Sequence, residues 1–262
     1  MRFDVISLFP ELFEPHLTQG VTRRAFESKQ VDVRLWQLRN YASNAYRRID
    51  DRPFGGGPGM VMLAEPLERA LVAIRADRGE AAASRELRAP LVMFTPVGRR
   101  LDQGTVEAFA ADDASVASGA ILLCGRYEGV DQRFIDRHVD IEISVGDFVL
   151  SGGELAALIL LDAVARLQEG VLNDVESHRQ DSFSDGLLDC PHYSRPELLQ
   201  TADGELGIPA VLKSGNHADI ARWRREQSLA LTASRRPDLI LAARAAGRLS
   251  RADESYLARC QL

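Results

Sequence analysis

The hydrophobic pattern along the first two-thirds of the chain alternates between two periods. Short apolar runs, which predict strands, occupy Arg2–Leu8, Val31–Leu38, Leu91–Thr95, Ala120–Cys124 and Ile141–Val145. Between them apolar residues recur every three or four positions, which predicts helices over Pro10–Ser28, Ala64–Ala76, Asp102–Ala111, Val130–His138 and Glu154–Leu167. Strands alternating with helices predict an α/β fold on a parallel sheet covered by helices on both faces. Pro10 suits a first helical turn, where its missing N–H costs nothing. Residues 78–89, RGEAAASRELRA, interrupt the pattern and read as a mobile insertion.

After Leu167 the texture changes. Residues 168–181, QEGVLNDVESHRQD, are polar and without period, so they read as a linker. Beyond Pro209 strand signals vanish and three helices are expected, broken at Arg236-Pro237 and at Gly247. Ser214 or Asn216 is the expected cap of the first. The division is therefore an α/β domain over residues 1–167, a linker over 168–181 and a helical domain over 182–262.

Composition adds limits. Hydrophobic residues at 45% and charged residues at 27% match an ordinary soluble protein. The longest apolar run, Leu155 to Leu161, is too short to cross a bilayer, so no membrane partner is expected. The opening MRFDVISLFPELF carries acids and no cleavage signal, so no leader is expected. Cys124, Cys190 and Cys260 are odd in number and far apart, which suits neither a disulfide framework nor a zinc site and points to a reducing, cytoplasmic setting. No histidine pair has metal-ligand spacing, so no metal cage is indicated. Net charge is −6, yet residues 213–248 hold eight Lys or Arg against three Asp or Glu. That local basic excess is either the footprint of a polyanion or a solvated helix surface.

Four glycine-marked segments stand out: RPFGGGPGM (52–60), FTPVGRRLDQ (94–103), LCGRYEGVDQ (123–132) and VGDFVLSGGE (145–154). The last three follow predicted strands, and in open α/β sheets such turns line the ligand crevice. Glycine there admits close backbone approach. Dinucleotide and phosphate-loop fingerprints are absent. LSGGE at 150–154 resembles a transporter-ATPase signature, but no phosphate-binding lysine accompanies it. Ser151 is not in a nucleophile elbow, because Val149 occupies the first glycine's place. A ligand gripped by backbone groups without a phosphate cradle fits a nucleoside best.

Three blocks carry a resemblance: LCGRYEGVDQRFID, EISVGDFVLSGGELAALILLDAV and DSFSDGLLDCPHYSRP at 181–196. Together with MRFDVISLFPELF, RPFGGGPGM and SGNHADIARWRREQSL, they resemble the bacterial tRNA (guanine-N1)-methyltransferases of the SPOUT class, essentially end to end. The resemblance implies methyl transfer from S-adenosylmethionine to N1 of guanosine-37 in tRNA, beside the anticodon. It further implies a homodimer with active sites at the subunit interface, and a deep trefoil knot in the parallel sheet. Generic topology rules count against a knot.

On that resemblance the cofactor is surrounded by Pro96, Gly125, Tyr127, Glu128, Val145, Gly146, Asp147, Phe148, Val149, Leu150, Gly152 and Gly153. Val145 and Phe148 stand where Ile and Tyr are common in the family, a loss of one methylene and one hydroxyl. Asp181 is implied as the base that takes the N1 proton. Taken alone, Asp181-Ser182 ahead of a turn reads as a cap. Arg166 fits the cation that steadies O6 as charge builds there. An i,i+4 pair with Asp162 contributes only a few tenths of a kcal/mol, a small return for an arginine on so apolar a helix. Asp162 is expected to hold it. The basic helices are expected to meet tRNA phosphates, and Trp223 is either a core anchor or a base-stacking platform. A Mg²⁺ requirement, with Glu128 as its acid, is implied by some family members. Two alternatives remain: a SPOUT methyltransferase for another RNA position, and a non-catalytic RNA-binding protein.

Overall fold

The computed structural model describes residues 1–111, 119–172 and 180–260. The chain forms two compact units, Met1–Asp174 and Val175–Leu262. The expected linker at 168–181 falls partly outside the described residues.

The first unit is built on a five-stranded sheet of β1 (Arg2–Ser7), β2 (Asp32–Gln37), β5 (Leu91–Arg100), β6 (Gly119–Leu123) and β7 (Ile141–Ser144), all pairs parallel, in the order β2-β1-β6-β5-β7. Alternation along the strands sorts side chains to two faces. Ala120 and Leu122 join one buried cluster, with Phe3, Val5 and the helix α6 (Glu154–Arg166). Ile121 and Leu123 join the other, with Ile6 and the helix α3 (Ala64–Asp77). Both faces are thus covered, which is why Leu91–Phe94 of β5 and Ala120–Leu123 of β6 read as unbroken apolar runs.

Several expectations need correction. The helix expected over Pro10–Ser28 is a 3-10 turn at Pro10–Leu12 followed by α1 (Glu14–Thr18) and α2 (Arg23–Glu27). Gly20, at φ +75°, ends α1 in the left-handed conformation that glycine adopts without steric penalty. β5 runs past Thr95 to Arg100, but Phe94 and Arg99 both align with Ile143, so residues 95–98 leave the ladder as a bulge. A small antiparallel hairpin of β3 (Asp50–Asp51) and β4 (Val61–Met62) carries RPFGGGPGM as its loop.

The stretch 78–89 does not stand free. Arg78 reaches Asp4 at 2.8 Å and Glu80 at 2.6 Å, Arg75 reaches Glu80 at 2.6 Å, and Ala89 is buried. The two helices flanking the later strands are capped by side chains. Asp102 accepts from Thr105 N ahead of α4 (Gln103–Ala110), and Asp131 accepts from Arg133 N ahead of α5 (Gln132–His138).

The second unit holds α7 (His217–Arg235), α8 (Pro237–Ala245) and α9 (Arg251–Arg259) around Leu187, Leu229, Ile240, Ala243 and Leu257. Asn216 caps α7, and Ser250 with Asp253 forms a capping box on α9. An exposed hairpin, β8 (Leu198–Thr201) with β9 (Gly204–Gly207), lies before them and was not anticipated by the helical reading of 182–262. Its apolar signal is four residues long, too short to distinguish from loop.

Candidate active site

The strands β6, β5 and β7 are neighbours and parallel, so their carboxyl ends open on one edge of the sheet. A cleft of about 270 Å³ lies there, lined by the bulge after Phe94, the loop 125–129 and the loop 145–153. These are three of the four glycine-marked segments. Pro96, Gly125, Tyr127, Glu128, Val145, Gly146, Phe148, Val149, Leu150, Gly152 and Gly153 all line it. Asp147 does not: it is 90% exposed and paired with Arg100 at 2.9 Å. Arg126, Thr95 and Ser151 line the cleft without having been singled out, although each lies inside one of the quoted blocks.

Local backbone explains the glycines. Gly153 N–H donates to Gly125 O at 2.9 Å, and a Cβ at Gly153 would lie 2.8 Å from Cys124 Cα. Gly152 and Arg126 form an isolated antiparallel bridge. The close approach first attributed to a ligand is therefore made already by the chain itself. Tyr127 holds φ +62°, an uncommon conformation for a non-glycine residue, and strain of that kind clusters at ligand sites. The fourth segment reaches the cleft through Glu128, whose N–H donates to Met60 O at 3.0 Å. A Cβ at Gly59 would lie 2.7 Å from Glu128 Cδ, so the loop packs directly on that carboxylate. Burial, with Glu154 adding to it, pushes the Cys124 thiol well above its usual range, so it is no nucleophile at neutral pH.

Arg166 and Asp181 are placed differently. Arg166 is the last residue of α6, about 20 Å along the helix axis from Gly153 at about 1.5 Å per residue. It is not among the residues lining its own chain's cleft. Asp162 pairs with His16 at 3.8 Å; the anticipated pair with Arg166 is not formed among the described residues. Asp181 belongs to the second unit, where its carbonyl accepts Ser184 N–H at 3.2 Å in a turn.

Five of the eight basic residues in 213–248 are in ion pairs: Lys213–Glu197, Arg222–Asp219, Arg225–Asp253, Arg236–Asp238 and Arg244–Glu254. The basic excess is thus partly neutralised within the unit. Trp223 is half-buried, with its ring 6.3 Å from that of Tyr193, and lies outside the buried cluster.

Among the described residues one group offers three metal donors, Asp189, Cys190 and His192. A thiol and an imidazole do not suit Mg²⁺, which prefers oxygen ligands. Glu128 lines the cleft but belongs to no such group among the described residues.

The cleft has the place and backbone-rich lining expected for a nucleoside-bearing ligand, and comparison with known proteins decides the family. Residues 1–242 match the family described as tRNA (Guanine-1)-methyltransferase TrmD. The chain belongs to this family.

Among its relatives, the tRNA (guanine-N(1)-)-methyltransferase of Leptothrix cholodnii is 68% identical over 262 residues, covering all of both chains. The protein of the same description from Methylibium petroleiphilum is 67% identical, over 98% of this chain and 97% of the relative. The one from Paracidovorax citrulli is 66% identical, over 99% and 98%. No helix among the described residues of this methyltransferase-family chain is long and apolar enough to cross a membrane.

Proposed function

We propose that this chain transfers the methyl group of S-adenosylmethionine to N1 of guanosine-37 in tRNA, acting as a homodimer. The observation that carries the reading is the cleft where three motif loops converge at the carboxyl ends of β5, β6 and β7, in a chain of this family. The cofactor, when bound, supplies an electrophilic methyl group. Backbone amides and carbonyls of 125–129 and 145–153 orient it, and much of the catalysis is positioning. Asp181 takes the N1 proton of an unstacked guanine, and Arg166 steadies the charge that builds on O6.

A shared site reconciles these roles with the geometry. Within one chain α6 carries Arg166 away from the cleft at which the helix begins, so the second subunit delivers Arg166 and Asp181. Leu155 and Ile159, four residues apart on α6, are exposed, as are Phe9 and Leu12 just after β1. Ser7, ending β1, bonds Glu154 at the start of α6, so these apolar side chains share one end of the unit, which supports a dimer surface. β7 lies on the far side of β5 from β6, a crossing that supports the trefoil knot. The second unit binds tRNA, and the free cysteines Cys124, Cys190 and Cys260 support a cytoplasmic setting.

The test is methyl transfer from labelled cofactor to tRNA transcripts carrying guanosine or adenosine at position 37, with primer extension to map the product. Label and a stop at guanosine-37 alone are expected. A stop elsewhere would favour an enzyme for another RNA position. Absence of any calorimetric signal with the cofactor would favour a pure RNA binder.

A further inference from the structure

One buried ion pair at the cleft has no part in the chemistry above. Arg126 lies in the loop after β6, and Glu154 opens α6. Arg126 Nε donates to Glu154 Oε2 at 2.9 Å, with the Glu154 side chain 1% exposed and Arg126 18% exposed. Glu154 Oε1 accepts from Ser7 Oγ at 2.8 Å, at the end of β1. Arg126 also donates to Ser151 O at 3.2 Å, and its guanidinium lies over the Phe9 ring, 4.6 Å from the centroid. A Cβ at Gly152 would lie 2.6 Å from Glu154 Oε2 and closer still to the Arg126 side chain. A side chain at 152 would therefore have to displace the pair.

Burying two charges is costly, and the attraction between them repays this only when further hydrogen bonds satisfy both groups. Here the further bonds go to Ser7 at the end of β1 and to Ser151 in the loop 145–153, which lines the cleft. Glu154 itself does not line the cleft, whereas Arg126 does. An apolar pair would fill the same volume but would not fix two loops in direction.

We propose that Arg126 and Glu154 are a positioning pair that latches the loops 125–129 and 145–153 together, so that the cofactor cleft is formed before the cofactor arrives. The inference rests on the cofactor reading of the cleft. Loops that order only on binding subtract their ordering entropy from affinity, and a latch moves that cost into folding. Losing the latch therefore weakens cofactor binding while leaving turnover at saturation nearly intact.

The test is calorimetric titration of the full-length protein with S-adenosylhomocysteine, beside steady-state kinetics on tRNA. Glu154→Gln and Arg126→Met are each expected to raise Kd about tenfold or more, the scale of a lost charged hydrogen bond. The double variant is expected to be no worse than the weaker-binding single variant, because both break one interaction. The kcat of Glu154→Gln at saturating cofactor stays within about threefold, and Arg126→Lys recovers part of the affinity lost in Arg126→Met. If Glu154→Gln does not fold, Ser7→Ala, which removes the second anchor of Glu154, carries the same expectation. Weak binding by Arg126→Met beside normal binding by Glu154→Gln would mean that Arg126 touches the ligand directly, and would overturn the latch. So would a fall in kcat with Kd unchanged. No binding by the unaltered protein would instead sink the cofactor reading, and the latch with it.

Discussion

The N–H of Gly153 donates to the carbonyl of Gly125 at 2.9 Å, joining the loop after β6 to the start of α6 backbone to backbone. Gly153 has an ordinary helical conformation, φ −78°, so the glycine is required by space and not by backbone strain. Gly153→Ala is expected to push α6 away from Cys124. Overpacking of this kind costs about 1–3 kcal/mol. A fall in melting temperature together with weaker S-adenosylhomocysteine binding would be seen in thermal unfolding and calorimetry. A substitution neutral in both would contradict the packing described.

The proposed roles of Asp181 and Arg166 separate in kinetics. Asp181→Ala is expected to lower kcat about 10²- to 10⁴-fold, the range of general base catalysis. Arg166→Ala is expected to lower it about 10²- to 10³-fold, with cofactor affinity little changed. Mixing the Asp181→Ala and Gly153→Ala proteins should restore activity, because hybrid dimers regain one intact site. Single-turnover assays on the mixture check this, and no recovery would count against shared sites.

Glu80 provides an acid-sensitive anchor for the stretch 78–89. Burial raises its pKa, but hydrogen bonds and attraction from Arg78 and Arg75 outweigh this and hold the carboxyl below its usual range. A depressed folded value contributes stability above the unfolded pKa of about 4.3, lost as pH falls through the folded value. Breaking a buried pair costs about 3–5 kcal/mol, and Glu80→Gln, which keeps some hydrogen bonding, should lie near the lower end at pH 7. Urea unfolding should show the gap between variant and parent closing as pH drops below about 4. Hydrogen exchange should rise across 78–89 in the variant.

Salt dependence of tRNA binding should distinguish paired from exposed arginines. Arg236 is held by Asp238 at 2.7 Å, while Arg224 is exposed on α7. Each phosphate contact contributes about 0.9 to the slope of log affinity against log salt. Arg224→Gln should flatten the slope by about that amount and Arg236→Gln by clearly less. Filter binding at several salt concentrations reads the difference, and equal slopes would remove α7 from the interface.

The sequence by itself determined the five strands of the central sheet and the order of motif loops along the chain, narrowed the cap of α7 to Ser214 or Asn216, and pointed to the family. These are local or near-local matters: a strand buried on both faces must be apolar throughout, and a cap acts on amides two or three residues away. Only the tertiary structure decided which strands are neighbours, that residues 95–98 bulge out of β5, and that Arg78 and Glu80 fasten a stretch that reads as mobile. It alone set Arg126 against Glu154. Those outcomes depend on residues distant in the chain meeting in space, and periodicity records only which face a side chain takes, not what waits on the other side.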